Sequence, residues 1–365
     1  MFATLAGGYS RTPLPAGPDR LGDAERRLRA GAIDEAGYAA IADDVVREVV
    51  VEQEQAGLAI LADGAVRWAD RLLPIVEGLT GLEAAGAVVL PSGEAVTRPR
   101  VVDGLARSKP IFVEAWRRAA AASDLHVKQV LVGPYTIGRL ADLGGRNRRT
   151  VTLVLAEALN AELHALVAAG CAFIQVDEEA VTGIGDADAE WRLFERAHEA
   201  LTAGLGDPRR VHLSLGLTGG SVARPGYAAV LGPPYVSYLV DLLAGPDAWR
   251  FVDAAPVERG IVCGVAEARR TGQDEVEVMT WAMAWAAAGD RGSDRVGIAP
   301  NGSLAGMDRL AAKRKIERLG ETVRIASMGP LQDVADALDP DPLGSRIAEL
   351  RTLAEAVAAA RRPGG

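Results

Sequence analysis

The chain has 365 residues, and its 49 acidic against 40 basic side chains give a net charge of −9. Such a balance argues against a nucleic-acid-binding surface and mainly supports solubility; the partner expected is a small-molecule substrate. It is 49% hydrophobic and 24% charged, as expected of a globular protein with a large core. The two cysteines, Cys171 and Cys263, both lie in apolar runs, so a disulfide framework is not expected and a reducing, cytoplasmic setting is. No run approaches 18 uninterrupted apolar residues, which predicts no membrane span, and the N-terminus lacks the pattern of a secretory leader.

Taken in chain order, eight short β-rich runs recur: 2–7, 58–64, 127–133, 172–178, 211–216, 237–243, 260–265 and 295–300. Most are continuous apolar runs, the pattern of strands covered on both faces in a parallel sheet. Between them lie helical patterns at 34–56, 109–123, 147–169, 188–204, 273–288 and 306–324. Eight alternating units predict a single (β/α)8 TIM barrel, with an open doubly wound sheet as the runner-up. Residues 8–33, rich in Pro and Gly, read as a loop or arm. Residues 85–104 read as an inserted β-hairpin turning at Pro91-Ser92-Gly93, and residues 342–361 as a C-terminal amphipathic helix.

In a barrel of this kind, polar residues at strand C-termini carry function. The runs deliver Asp63, then Tyr135-Thr136, Asp177-Glu178-Glu179, His212 and Ser214, Asp241, Glu267, and Asn301-Gly302-Ser303. Asp177 and Glu178 point to opposite faces if the strand continues, so only one enters the mouth. His212 has two readings, a hydrogen-bonded core residue or a general acid–base. Cys263 reads as a packed core cysteine. The glycines at 216, 219 and 220 lack nucleotide-loop spacing, and Trp281 and Trp285, four apart on a helix, read as packing.

Several segments together resemble the C-terminal catalytic barrel of cobalamin-independent methionine synthase, within the superfamily that includes uroporphyrinogen decarboxylase. They are TLAGGYSRT near the start, EQEQAGLAILADGAVRW (52–68), VLVGPYTI (130–137), IQVDEEA (174–180), VHLS (211–214) and RVGIAPNGSL (295–304). The resemblance implies methyl transfer from a reduced folate to a thiol activated on zinc, which stabilises the thiolate. It also implies that Asp177 holds a substrate amino group. The sequence departs from the pattern at the metal. His212 matches the family histidine, but Ser214 and Gly302 fall where the family places cysteines, Asp241 is the carboxylate nearest its glutamate, Ala65 replaces a glutamate after the second strand, and Ala266-Glu267 fill the region of a further histidine.

The expected function is therefore one-carbon transfer to an amino-acid-like or other small acceptor, with a reduced folate as candidate cofactor and no thiolate–zinc site. The candidate catalytic residues are Asp177, His212 and Glu267. The candidate substrate contacts are Gly8, Asp63, Tyr135, Thr136, Glu178, Ser214, Asp241 and Asn301. The alternatives are a metal-independent lyase or decarboxylase using Asp177 and His212 as acid and base, and a catalytically silent binding barrel. The oligomeric state stays open.

Overall fold

A computed structural model describes residues 1–328 apart from 16, 246 and 289. The C-terminal helix expected at 342–361 lies outside the described residues. Eight strands form one parallel sheet: β1 (Phe2–Ala3), β2 (Ile60–Ala62), β5 (His126–Val132), β6 (Phe173–Asp177), β7 (His212–Leu217), β8 (Ser237–Asp241), β9 (Gly260–Ala266) and β10 (Val296–Pro300). They run in the order β1-β10-β9-β8-β7-β6-β5-β2, every pair parallel. The remaining pair, β3 (Leu79–Val89) and β4 (Ala95–Arg107), is an antiparallel hairpin between the second and third barrel strands.

The ends of the sheet meet where Thr4 bridges Ile60, and the Thr4 hydroxyl donates to the Ile60 carbonyl at 2.7 Å. The ring is thereby closed, and the open doubly wound alternative falls. All eight apolar runs became strands because each is covered by barrel interior on one face and helices on the other. The interior has an apolar layer of Ala6, Leu239, Val262 and Ala299.

Two sequence expectations need correction. The arm at 8–33 contains a helix, Arg20–Arg29, capped where Asp19 accepts from the Gly22 amide; it buries Leu21 and Ala24. The hairpin is longer than 85–104, because bulges at Gly81 and Gly86, both at positive φ, let the ladder run on past breaks in its register.

Arg148–Ala168 is long and apolar enough to cross a bilayer by composition. Here it packs on the barrel's outer face, and its Glu162 is fully buried, accepting from Arg107 and from the amides of Ile111 and Phe112.

Candidate active site at the strand C-termini

Strand alternation sets which residues enter the barrel. On β6, Phe173, Gln175 and Asp177 face inward; on β7, opposite them, stand His212, Ser214 and Gly216. Asp177 therefore sits at the mouth. Its Oδ1 accepts from Gln175 Nε2 at 2.7 Å, and its Oδ2 from Arg71 Nη1 at 2.7 Å. Gly216 exists for this carboxylate, since a Cβ there would fall 2.3 Å from Asp177 Oδ1.

Arg71, from the loop after β2, organises the mouth. It is 5% exposed and donates to three carboxylates: Asp177, Glu179 (2.8 Å) and Glu94 (3.0 Å from Nε and 2.8 Å from Nη2). Burial opposes its charge, but these carboxylates more than offset that and hold the guanidinium firmly protonated. Burial pushes Asp177 and Glu179 up from the ordinary carboxylate range, with Arg71 pulling each back. Three carboxylates around one guanidinium leave an excess of negative charge in a dry site, and such a site favours a proton or a cationic ligand.

Beneath the mouth, Lys128 Nζ donates to the Leu5 carbonyl and to Gln175 Oε1, at 2.7 and 2.6 Å. Burial lowers its pKa to about 7, with Asp177 opposing. The Gln175 amide thus bridges the Lys128 nitrogen below and a carboxylate above.

The hairpin tip covers this mouth. The Ser92 amide donates to Glu179 Oε2 at 3.0 Å, while Glu94 lies on Arg71. A side chain at Gly219 would strike the tip, 2.8 Å from the Ser92 nitrogen.

Of the expected site residues, Asp177 alone stands at the centre of this cluster. His212 and Ser214 are corrections. His212 begins β7, level with Phe173, while Asp177 is level with Gly216. Four residues of strand separate the two levels, about 13 Å. The His212 ring bonds the Ser237 hydroxyl at 2.7 Å, stacks on Phe173 and lines a small cavity at the barrel's N-terminal end with Thr4, Lys128, Ser214 and Ser237. Burial, with Lys128 adding, depresses its pKa to about 4, so the ring is neutral. The strand continues upward from His212, and the inward positions nearest the mouth are Ser214 and Gly216. The shared pocket expected for Asp177 and His212 is not formed.

Glu178, Tyr135 and Thr136 lie behind the barrel wall. Glu178 is fully buried; its carboxylate accepts from the Tyr135 amide and the Thr136 amide and hydroxyl, satisfying the first turn of the helix Pro134–Leu140, and bonds His198 Nε2. The Tyr135 hydroxyl donates to Glu190 on the outer helix layer. These three are scaffold, as alternation requires once Asp177 points inward.

Asp241 and Asn301 reach the mouth but serve its loops. Asp241 accepts from the Gly219, Leu243 and Ala244 amides and from Asn301 Nδ2, and Asn301 Oδ1 accepts from the Ala268 amide. Glu267 turns back onto the Arg269 amide within its own loop. The Gly8 amide donates to Ser303 Oγ, joining the loops after β1 and β10. Asp63 is buried after β2, where Oδ1 accepts from the Ala65 amide and desolvation raises its pKa to about 6.

The resemblance implies a zinc site, and the residues at its positions lie as follows. His212 is at the far end of the barrel, Gly302 offers no ligand atom, and Asp241 is occupied by loop amides. Cys263 points away toward the Ala282 carbonyl, and burial pushes its thiol up to about 12. Among the described residues no group of three His, Cys, Asp or Glu side chains is arranged to hold a metal ion.

Sequence reasoning missed Arg71, Glu94, Lys128 and Gln175, and it named Glu179 at its strand end without giving it a site role. Gln175 and Lys128 left a signal, each a long polar residue inside an apolar strand, Gln175 sharing the inward face of Asp177. Arg71 and Glu94 sit in a loop and a hairpin turn, where no periodicity marks direction.

Residues 16–202, just over half of the chain, match the family described as cobalamin-independent synthase, catalytic domain. The chain belongs to that family. A methionine synthase from Sulfurisphaera tokodaii is 30% identical over 180 residues, 49% of this chain and 52% of that protein. A 5-methyltetrahydropteroyltriglutamate–homocysteine methyltransferase from Streptomyces avermitilis is 36% identical over 161 residues, 42% of this chain and 20% of that protein. The chain thus spans about half or less of the length of these relatives. Among solved structures, a B12-independent methionine synthase from Shewanella sp. W3-18-1 superposes with a TM-score of 0.69 at 17% identity, covering 88% of this chain and 97% of that one. A putative vitamin-B12-independent methionine synthase from Listeria monocytogenes gives 0.70 at 16% identity, covering 90% and 98%. Both share the barrel fold.

Proposed function

We propose that this member of the family transfers a methyl group from a methylated reduced folate to a small amino-acid-like acceptor, without thiolate–zinc chemistry. The observation that carries the reading is the buried cluster of Arg71, Glu94, Asp177 and Glu179 at the strand C-termini. Its surplus carboxylate suits the ammonium of an amino acid, and its guanidinium suits a carboxylate. Family membership supplies the reaction class, and the curated relatives named above supply the folate donor. In the transfer the methyl carbon leaves an amine nitrogen of the folate and joins a lone pair on the acceptor. The nitrogen gains a proton and the acceptor loses one. Asp177 and Glu179, both raised by burial, are the mouth groups suited to hold that proton.

The lyase reading that paired Asp177 with His212 loses its base, since the two sit at opposite ends of the barrel. A silent binding barrel is the second reading, favoured by the hairpin tip lying over the mouth and, among the described residues, by no converging set of metal ligands.

The test incubates purified protein with methyl-labelled 5-methyltetrahydrofolate, as mono- and triglutamate, and a panel of amino-acid acceptors including L-homocysteine. Labelled product by mass spectrometry, lost at least 100-fold in Asp177→Asn, supports methyl transfer. Binding of acceptors with no labelled product supports the silent barrel.

A further inference from the structure

The hairpin tip offers the mouth two groups in a particular arrangement. One is an N–H donor, the Ser92 amide, placed on a carboxylate of Glu179. The other is a carboxylate, Glu94, which takes two N–H bonds from one edge of Arg71. An α-amino acid carries the same pair, an N–H donor beside a carboxylate. Glu94 is nearly buried, with its side chain 8% exposed, so its charge has left water for this contact. The remaining bonds of Arg71, to Asp177 and Glu179, do not involve hairpin atoms.

The hairpin has fixed points below its tip. Thr97 is fastened by Asp70, whose Oδ2 accepts from both its amide and its hydroxyl. Farther down, Val101 donates to the Asp142 carbonyl. Beyond Thr97 only the short turn Leu90–Glu94 reaches over the mouth, closed by the Leu90 and Glu94 backbones and by Gly93, whose φ is +89°. Val89 is 62% exposed, while Leu90 and Val96 are buried in the core, so apolar burial anchors the base of the turn and only Pro91–Glu94 is left without it.

We propose that Arg71 recognises the carboxylate of the acceptor, and that Glu94 at the hairpin tip keeps its place in the empty enzyme as a built-in stand-in. This rests on the amino-acid reading given above and adds the residue that selects the carboxylate. An entering amino acid puts its carboxylate on the Nε–Nη2 edge of Arg71 and its ammonium between Asp177 and Glu179. Glu94 and the Ser92 amide then return to water. The exchange conserves charge at Arg71, because one carboxylate replaces another. An acceptor that lacks a carboxylate cannot displace Glu94 without leaving that edge of the guanidinium unpaired, so such molecules are rejected.

The experiment measures binding of L-homocysteine and of 3-aminopropane-1-thiol, its decarboxylated counterpart, by calorimetry to wild type, Glu94→Ala and Glu94→Gln. Amide exchange at residues 88–96 is followed in parallel, and circular dichroism confirms folding of each variant. The expected result is that Glu94→Ala binds L-homocysteine at least tenfold more tightly than wild type, with Glu94→Gln between them. Its hairpin tip exchanges faster, and the decarboxylated amine gains less than twofold. If wild type binds L-homocysteine and neither variant binds it more tightly, the stand-in is refuted while the amino-acid reading survives. If the amine gains as much as the amino acid, Arg71 does not select a carboxylate. If none of the three proteins binds either probe, the amino-acid reading itself fails, and the inference with it.

Discussion

Replacing Arg71 with methionine tests the electrostatics of the mouth most directly. Methionine approximates the volume of the arginine stem but carries no charge, so Asp177, Glu179 and Glu94 remain together without their shared partner. Breaking a buried ion pair by removing one partner costs about 3–5 kcal/mol. Here Glu94 can swing out to water from the hairpin tip, which places the expected loss toward the lower end of that range. The pH dependence follows from the direction of the shifts. Burial already raises Asp177 and Glu179, and Arg71 is the leading influence holding them down. Without it both rise further. A carboxyl whose folded-state pKa lies above its unfolded value contributes stability that is present at low pH and lost as pH climbs through the folded value. The deficit of Arg71→Met relative to wild type should therefore be small near pH 4 and full by pH 7.5. Urea titrations at pH 4, 5, 6 and 7.5 measure it, as a shift in midpoint with the slope unchanged. A deficit below about 1 kcal/mol at pH 7.5, or one that does not vary with pH, would refute the buried cluster.

His212→Ala should leave methyl transfer and ligand binding within twofold of wild type, since the ring serves the far end of the barrel; a large loss of turnover in a folded variant overturns its scaffold role. The depressed pKa of His212, about 4 against an ordinary 6.5, makes it a stabiliser above pH 6.5 whose contribution fades as pH falls toward 4. That fading amounts to about 3 kcal/mol, and acid titration of wild type against His212→Ala reads it. Gly216→Ala should displace the Asp177 carboxylate, lowering stability by about 1–3 kcal/mol and weakening amino-acid binding more than tenfold; calorimetry showing intact binding would contradict the close approach. Purified protein after dialysis should retain well under one zinc ion per chain by elemental analysis, and stoichiometric zinc would overturn the reading of Ser214, Gly302 and His212.

Much of the barrel was legible in the sequence because burial on both faces writes itself into composition. Each parallel strand is an apolar run, and the eight runs suffice to count the staves. The Asp177-Glu178 alternation was equally readable, since side chains on a strand take opposite faces whatever surrounds them. The height of a residue along its strand was harder to read. VHLSLG does not say which end of the run reaches the mouth, and His212 was placed there by its match to a family pattern. The structure shows two more inward positions above it. Arg71 and Glu94 were invisible for another reason. Their meeting depends on how a loop and a hairpin fold back over the barrel, a long-range event that leaves no periodic trace. The helix Arg20–Arg29 was hidden by Gly and Pro in the surrounding arm, although Asp19 three residues ahead of Gly22 is a capping arrangement.

Asp177 and Glu178 share one peptide plane, yet one faces the barrel mouth and the other is clamped by four donors among the outer helices. The aim of the inner carboxylate is therefore set from outside the barrel, as a gunsight is set by its mount. A change at Thr136 or His198, or at Tyr235, whose hydroxyl bonds the other nitrogen of His198, shifts Glu178 and turns Asp177 with it. A laboratory selection for altered acceptor preference should accordingly recover substitutions at these three remote positions alongside those that line the mouth. A library confined to the visible rim would miss these three positions.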